Sequence, residues 1–168
     1  LYLIDQRHLP DALVEYDCRS AGEVSFAIRE MIVRGAPAIG QVAAIGLAMT
    51  AAKFIDSRPY ARRATLRGGA NVLRQSRPTA INLTWAVDRV MRVAGATPGD
   101  PEAVLAAMRA EATEIFHEDR RMCRAIIGSF QRGTSCRLRI SREPARRSGS
   151  TSPSAMRRKP NRSATPFT

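Results

Sequence analysis

A chain of 168 residues with a formal net charge of +12 at pH 7 is long enough for one domain with a real core, or for a domain and an appendage. Cys18, Cys123 and Cys136 have no short pair spacing and only His8 and His117 as imidazole partners, so neither a zinc site nor a disulfide framework is indicated. The odd, sparse cysteine count suits a reducing cytoplasm, and no apolar run approaches the roughly 20 residues that a membrane span needs.

In chain order, residues 1–6 (LYLIDQ) read as a short strand, His8-Leu9-Pro10 as a turn, and residues 13–18 alternate well enough for a second strand. Together they predict an N-terminal β-hairpin. From Ser20 the pattern changes: Ser20 with Glu23 three residues later has the form of a capping box, and Val24, Ile28, Met31 and Ile32 recur at helical spacing. The first residue is Leu1 and not Met, which leaves room for residues before it.

Residues 33–40 (VRGAPAIG) interrupt this helical text with one arginine, two glycines and a proline. A proline suits the first turn of a helix, because its φ is already helical and its missing N–H is not needed there. Pro37 therefore opens a new helix. The free N–H groups of that start, with Arg34 beside them, could hold an anion such as phosphate. The other reading is an ordinary turn between helices with a solvated arginine.

The helix from Pro37 to about Ile55 is nearly all small or apolar, which predicts burial on most sides and close packing through its glycines and alanines. Residues 60–75 carry a weaker helical pattern interrupted by Gly68 and Gly69. Residues 79–93 place Ala80, Leu83, Val87, Val90 and Met91 at helical spacing, with Trp85 adding bulk. ATPGDPE then makes a turn with a cap at Asp100. Pro101 to about Ile127 reads as a long helix with Val104, Leu105, Met108, Ala112, Ile115 and Phe116 on one side. Arg77, immediately before Pro78, repeats the arginine, proline and helix-start order of the first motif. Two such helix starts could face one anion if the helices pack side by side. The bland alternative is a surface arginine at a cap.

Charge is not spread evenly. Residues 1–128 hold 17 basic and 14 acidic residues, whereas residues 129–168 hold ten basic residues and the single acidic Glu143. The basic pI therefore belongs to the tail and not to the domain. That tail, rich in Arg, Ser, Pro and Thr, has too few large apolar residues for a core and reads as disordered. With only Lys53 and Lys159 against 25 arginines, it equally resembles a shifted reading of GC-rich coding DNA. The nucleic-acid reading of a basic tail finds only two aromatic residues, Phe130 and Phe167, and no recognisable motif, and is not favoured.

IDQRHLP, IREMIVRGAPAIG, SRPTAINLTWAVDRV and the EDRRMCRAI segment stand in one order along residues 1–128. Together they resemble the N-terminal portion of the methylthioribose-1-phosphate isomerase family, the methionine-salvage branch of a group that includes the regulatory subunits of translation initiation factor 2B. The resemblance implies a mainly α fold: a short N-terminal β-hairpin and a helical bundle over residues 1–128, with residues 129–168 a basic tail unrelated to the family. The family's C-terminal Rossmann-like α/β domain is missing from the text.

The resemblance further implies that Arg34, Gly35, Ala36 and Arg77 bind the phosphorylated sugar, and that the substrate is an aldose converted to a ketose. Because the anomeric oxygen carries the phosphate, the ring cannot open freely. The enzyme must promote opening and then move hydrogen between C2 and C1. The family's cysteine and aspartate for these steps lie in the C-terminal domain. Cys136 stands near the expected place, but its neighbours Ser135, Arg137 and Arg139 do not match. No catalytic residue is therefore assigned, and the chain is expected to be an inactive, truncated or frameshifted fragment. No metal, cofactor or membrane is implied. The family is cytoplasmic and dimeric, largely through the domain missing here. Ribose-1,5-bisphosphate isomerase and a non-catalytic initiation-factor-like subunit are the competing functions.

Overall fold

A computed structural model describes residues 1–97 and 99–133 of the chain. The Cys136 comparison, and the tail from residue 134 on, lie outside the described residues. Two strands, β1 (Tyr2–Ile4) and β2 (Glu15–Asp17), pair antiparallel with Leu3 opposite Tyr16. Leu3 is the buried residue of β1, while Tyr2 and Ile4 face outward, as the pleat dictates. Five helices follow: α1 (Ala21–Arg29), α2 (Ala36–Lys53), α3 (Pro59–Ser76), α4 (Ile81–Ala96) and α5 (Pro101–Gly133). A mainly α domain behind a small hairpin is thus what the sequence leads one to expect.

Helix α2 is the axis of the bundle. Nine of its residues are buried, from Ile39 and Gly40 to Ala48 and Thr50, because a helix so nearly all small and apolar has little face to give to water. Its glycines set how near the neighbours come. A Cβ at residue 46 would lie 2.9 Å from Val24 Cγ2 of α1, and a Cβ at residue 40 would lie 2.9 Å from the Asn82 carbonyl oxygen of α4. Gly69 likewise explains the weak text in α3. The helix runs through it unbroken, and a Cβ there would meet Ala21 at 3.2 Å. Around this axis Ile28, Leu47, Leu73, Leu83, Met108 and Val87 are fully buried, each worth about 1.5–3 kcal/mol of transfer free energy.

Helices α2 and α4 run in the same direction: Gly40 meets Asn82 near their starts, and Phe54 and Gly95 line one cavity near their ends. Helix α5 runs against them, with Gln41 Nε2 donating to Asp119 Oδ2 at 2.7 Å beside the α2 start. Arg89 ties α4 to α5 through ion pairs with both Glu111 and Glu118, its guanidinium also lying 5.1 Å above the Trp85 ring. Trp85 is 48% exposed and not a core residue, since Leu83, Ala86, Val87 and Val90 already fill the inner stripe of α4. Phe116 is partly exposed for a similar reason, with Ala112 and Ile115 taking the inner positions of α5.

Three boundaries differ from the sequence reading. Helix α1 ends at Arg29, so Met31 leaves the helical face and stands exposed in the turn with φ 60°. Helix α4 begins at Ile81 and not at Thr79, and α5 continues to Gly133, past Ile127. At the start of α1, Ser20 Oγ accepts from the Glu23 N–H as a capping box requires, but the returning Glu23 carboxylate accepts from the Arg19 N–H at 2.7 Å, one residue earlier than the standard box. Among the described residues no helix is long and apolar enough to cross a membrane, and no group of three His, Cys, Asp or Glu could hold a metal.

Candidate anion-binding corner

The turn between α1 and α2 is built by anchoring its ends. Ile32 and Val33 are buried, and both their N–H groups donate to the Ala27 carbonyl at 2.9 and 3.3 Å, which closes the end of α1. The hairpin strand then pins the turn from outside: the Gln6 N–H donates to Ile32 O at 2.9 Å, and Gln6 Nε2 reaches Arg34 O at 3.5 Å. Asp5, one residue earlier, is held in place by Arg7, whose guanidinium contacts its carboxylate at 2.6 Å. That pairing lowers the Asp5 pKa to about 2, against a smaller opposing effect of burial.

Beyond the anchor, the chain must reverse in a few residues. Gly35 does this at φ 105°, a left-handed conformation that L side chains rarely adopt. It is also the N-cap of α2, and no side chain caps that helix. The first intrahelical bond runs from Ile39 N to Gly35 O, Pro37 has no N–H, and the first turn contains no acidic residue. The Ala36 and Ala38 N–H groups therefore open outward at the positive end of the helix dipole.

Helix α4 presents a second start of the same kind. Its N-cap is Ala80, without a side-chain cap and again without an acidic residue in the first turn. Gly40 against the Asn82 carbonyl brings the first turns of α2 and α4 into contact. Arg77 is not at the start of α4, as the sequence pattern suggested, but is the C-cap of α3. The reason is local. The Ala80 N–H donates to Arg77 O at 3.0 Å, which makes Pro78 and Thr79 the middle of a turn, a place that suits proline as well as a first helical turn does. Arg77 still reaches the corner, because its Nη1 lies 3.6 Å from Met31 Sδ in the α1–α2 turn.

Arg34 and Ala36 are exposed, as is Gly35, while Arg77 is half-buried. Arginine–carboxylate pairs among the described residues form at Arg7, Arg19, Arg29, Arg74, Arg89 and Arg121, leaving Arg34 and Arg77 outside them. The corner thus combines two guanidinium groups with two uncapped helix starts, a constellation suited to a phosphate monoester.

A family model described as the initiation factor 2 subunit family matches residues 32–132, which takes in all four of these residues. The chain belongs to that family. It is 47% identical over 119 residues to the methylthioribose-1-phosphate isomerase of Alkalilimnicola ehrlichii, covering 71% of this chain and 34% of that protein. The corresponding protein of Desulforudis audaxviator is 46% identical over 119 residues, with the same coverage.

Two crystal structures of similar fold agree. The 5-methylthioribose 1-phosphate isomerase of Pyrococcus horikoshii OT3 superposes with a TM-score of 0.66 at 33% identity, over 70% of this chain and 33% of that one. Subunit delta of translation initiation factor eIF-2B from A. fulgidus gives 0.66 at 34% identity, over 71% and 35%. The chain spans about a third of the length of the relatives it matches.

Within this family domain, three residues shape the corner without any mark in the sequence: Gln6 through its bonds to the turn, Met31 through its backbone and its contact with Arg77, and Asn82 through its carbonyl. Gly40 does carry a signal, since a glycine inside an otherwise apolar helix marks a close approach, though the partner cannot be read from it. A cavity lies at the opposite end of the bundle from these residues, among the end of α2, the start of α3 and the end of α4.

Proposed function

We propose that this chain supplies the phosphate-holding helical part of an aldose–ketose isomerase acting on 5-methylthioribose 1-phosphate. In this reading Arg34, the N–H groups of Gly35 and Ala36, and Arg77 take the 1-phosphate, leaving the sugar ring to face outward. The observation that carries it is the pairing of uncapped α2 and α4 starts by Gly40 on Asn82, inside the stretch that is 47% identical to a methylthioribose-1-phosphate isomerase. A held phosphate fixes C1 and C2 in position while the ring oxygen leaves C1 and hydrogen moves between the two carbons. The groups that open the ring and move the proton are expected in a further domain of the whole protein, together with the dimer contact. A cytoplasmic place in methionine salvage goes with this reading, as does the absence of any role for nucleic acid.

The test is a titration of the full chain with 5-methylthioribose 1-phosphate, followed by amide NMR shifts and by an assay for the ketose. Saturable shifts at Gly35, Ala36 and Ile81 with no ketose formed are expected. A sugar phosphate that leaves those amides unmoved sinks the reading. The likeness to an initiation factor eIF-2B subunit at the same TM-score supports a second one, a non-catalytic subunit. The methylthio group separates the two: a substrate-holding domain binds the methylthio sugar more tightly than inorganic phosphate, and a subunit with no sugar ligand does not.

A further inference from the structure

At the end of the bundle away from Arg34, a cavity of about 640 Å³ opens between the end of α2, the start of α3, the end of α4 and the start of α5. That volume is in the range of pockets that hold small organic ligands. Its floor is apolar: Leu66, Met91, Ala94 and Val104 are all partly buried and pack against the core, and Leu105 is buried. Its rim is cationic. Arg62, Arg63 and Arg67 line it from α3, and among the described residues no aspartate or glutamate lines it.

Arg63 and Arg67, four residues apart, share one face of α3, and Arg62 reaches the opening from the neighbouring face. Arg62 is fixed in place by its Nη1 bond to Ile55 O at 3.0 Å, in the loop between α2 and α3. Arg63 and Arg67 are exposed, and none of the three is in a carboxylate pair among the described residues. Arg74, further along the same helix, is by contrast paired with Asp88. Pro59 also lines the cavity, so the first turn of α3, which has no side-chain cap and no acidic residue, opens on the same rim.

We propose that this cavity binds an amphipathic organic anion, with its apolar part on Leu66, Met91 and Val104 and its phosphate or carboxylate head on Arg63 and Arg67. An apolar floor alone would take a neutral ligand, and arginines alone would take any anion. The two together, on opposite sides of one opening, select a molecule that carries both. The ligand differs in kind from a polar sugar phosphate, and the site is separate from the Arg34 corner.

Octyl phosphate, octanol and inorganic phosphate are the probes, each titrated into the full chain by calorimetry and amide NMR. Octyl phosphate is expected to bind saturably and to shift Leu66, Met91 and Val104, while octanol and inorganic phosphate each bind at least about tenfold more weakly, the loss expected for one missing charge-assisted contact or one missing chain. The double variant Arg63→Ala/Arg67→Ala, which removes two charge-assisted contacts, should lose about a hundredfold in affinity for octyl phosphate. Arg120→Ala/Arg124→Ala, which removes the same charge from the exposed part of α5, should leave it unchanged. Octyl phosphate that fails to move those three residues, octanol that binds as tightly, or a rim variant that binds like the unaltered chain would each overturn the assignment. Shifts at Gly35 and Ala36 with inorganic phosphate report separately on the other corner.

Discussion

The α carbon of Gly40 lies so close to the Asn82 carbonyl that a Cβ at residue 40 would sit 2.9 Å from its oxygen. The obstacle is backbone and not a flexible side chain, so it cannot turn aside. Gly40→Ala would gain about 1 kcal/mol of helix propensity, but forcing the helices apart costs typically 1–3 kcal/mol. Net destabilisation of about 1 kcal/mol is therefore expected, read as a lower urea midpoint, with weaker phosphate binding because the two helix starts separate. Gly68→Ala is the control. Nothing lies within 4 Å of a Cβ there, so propensity alone operates and the variant should be more stable by about 0.5–1 kcal/mol. If both variants move the midpoint in the same direction, packing against Asn82 is not what keeps residue 40 a glycine.

Arg34 and Arg77 reach the corner from different elements, and neither supports the core. Arg34→Ala and Arg77→Ala should each change stability by less than about 0.5 kcal/mol, as ordinary surface substitutions do. Each should weaken binding of the sugar phosphate about tenfold, the worth of one charge-assisted hydrogen bond. Isothermal titration at two salt concentrations distinguishes a site from diffuse attraction: loss at a site persists at the higher salt. An affinity unchanged in both variants would remove these residues from the phosphate.

Asp5 gives the domain a defined acid response. Its carboxyl is depressed from the ordinary 3.8 to about 2 by Arg7, so the folded state binds this proton less readily than the unfolded chain. The stabilisation is thus fully present above about pH 4 and is lost as pH falls toward 2. Glu118 is shifted in the same direction by Arg89, so it adds to the same acid slope. Urea midpoints measured from pH 6 to pH 2 should fall more steeply for the unaltered chain than for Asp5→Asn. Equal slopes would mean that the Asp5–Arg7 pair does not persist in solution.

Periodicity made the hairpin and the five helices legible, and Pro37 and Pro101 marked two helix starts within a residue. Pro78 shows where local text stops deciding. The same Arg-Pro-Thr-Ala could open a helix or occupy a turn, and it is the Ala80 N–H bond to Arg77 O that makes it a turn. Arg34, Gly35, Ala36 and Arg77 are candidates by motif alone, and that Arg77 reaches the α1–α2 turn is a tertiary fact. Arg77 joins the corner through Met31, which helical spacing alone would have placed in the core. Trp85 likewise looks like core by composition, but the inner stripe of α4 was already full, leaving its ring beneath Arg89.

Thr50 shows how the apolar axis tolerates a polar group. Its buried hydroxyl donates to Gly46 O at 2.9 Å and accepts from the Ala21 N–H at 2.8 Å, so one oxygen satisfies an unpartnered donor at the start of α1 while completing its own bonding. Thr50→Val keeps the shape and removes both bonds. The Gly46 carbonyl sits inside α2, but the Ala21 N–H belongs to the first turn of α1, where the helix offers no acceptor. Leaving that buried donor unmet costs about 1–3 kcal/mol, which outweighs the small gain from a more apolar side chain. Thr50→Val should lower the urea midpoint by that amount, and Thr50→Ser, which retains the hydroxyl and loses one methyl group, should lose only about 1 kcal/mol. A valine variant as stable as the serine variant would show that the Ala21 N–H finds another acceptor once Thr50 is gone.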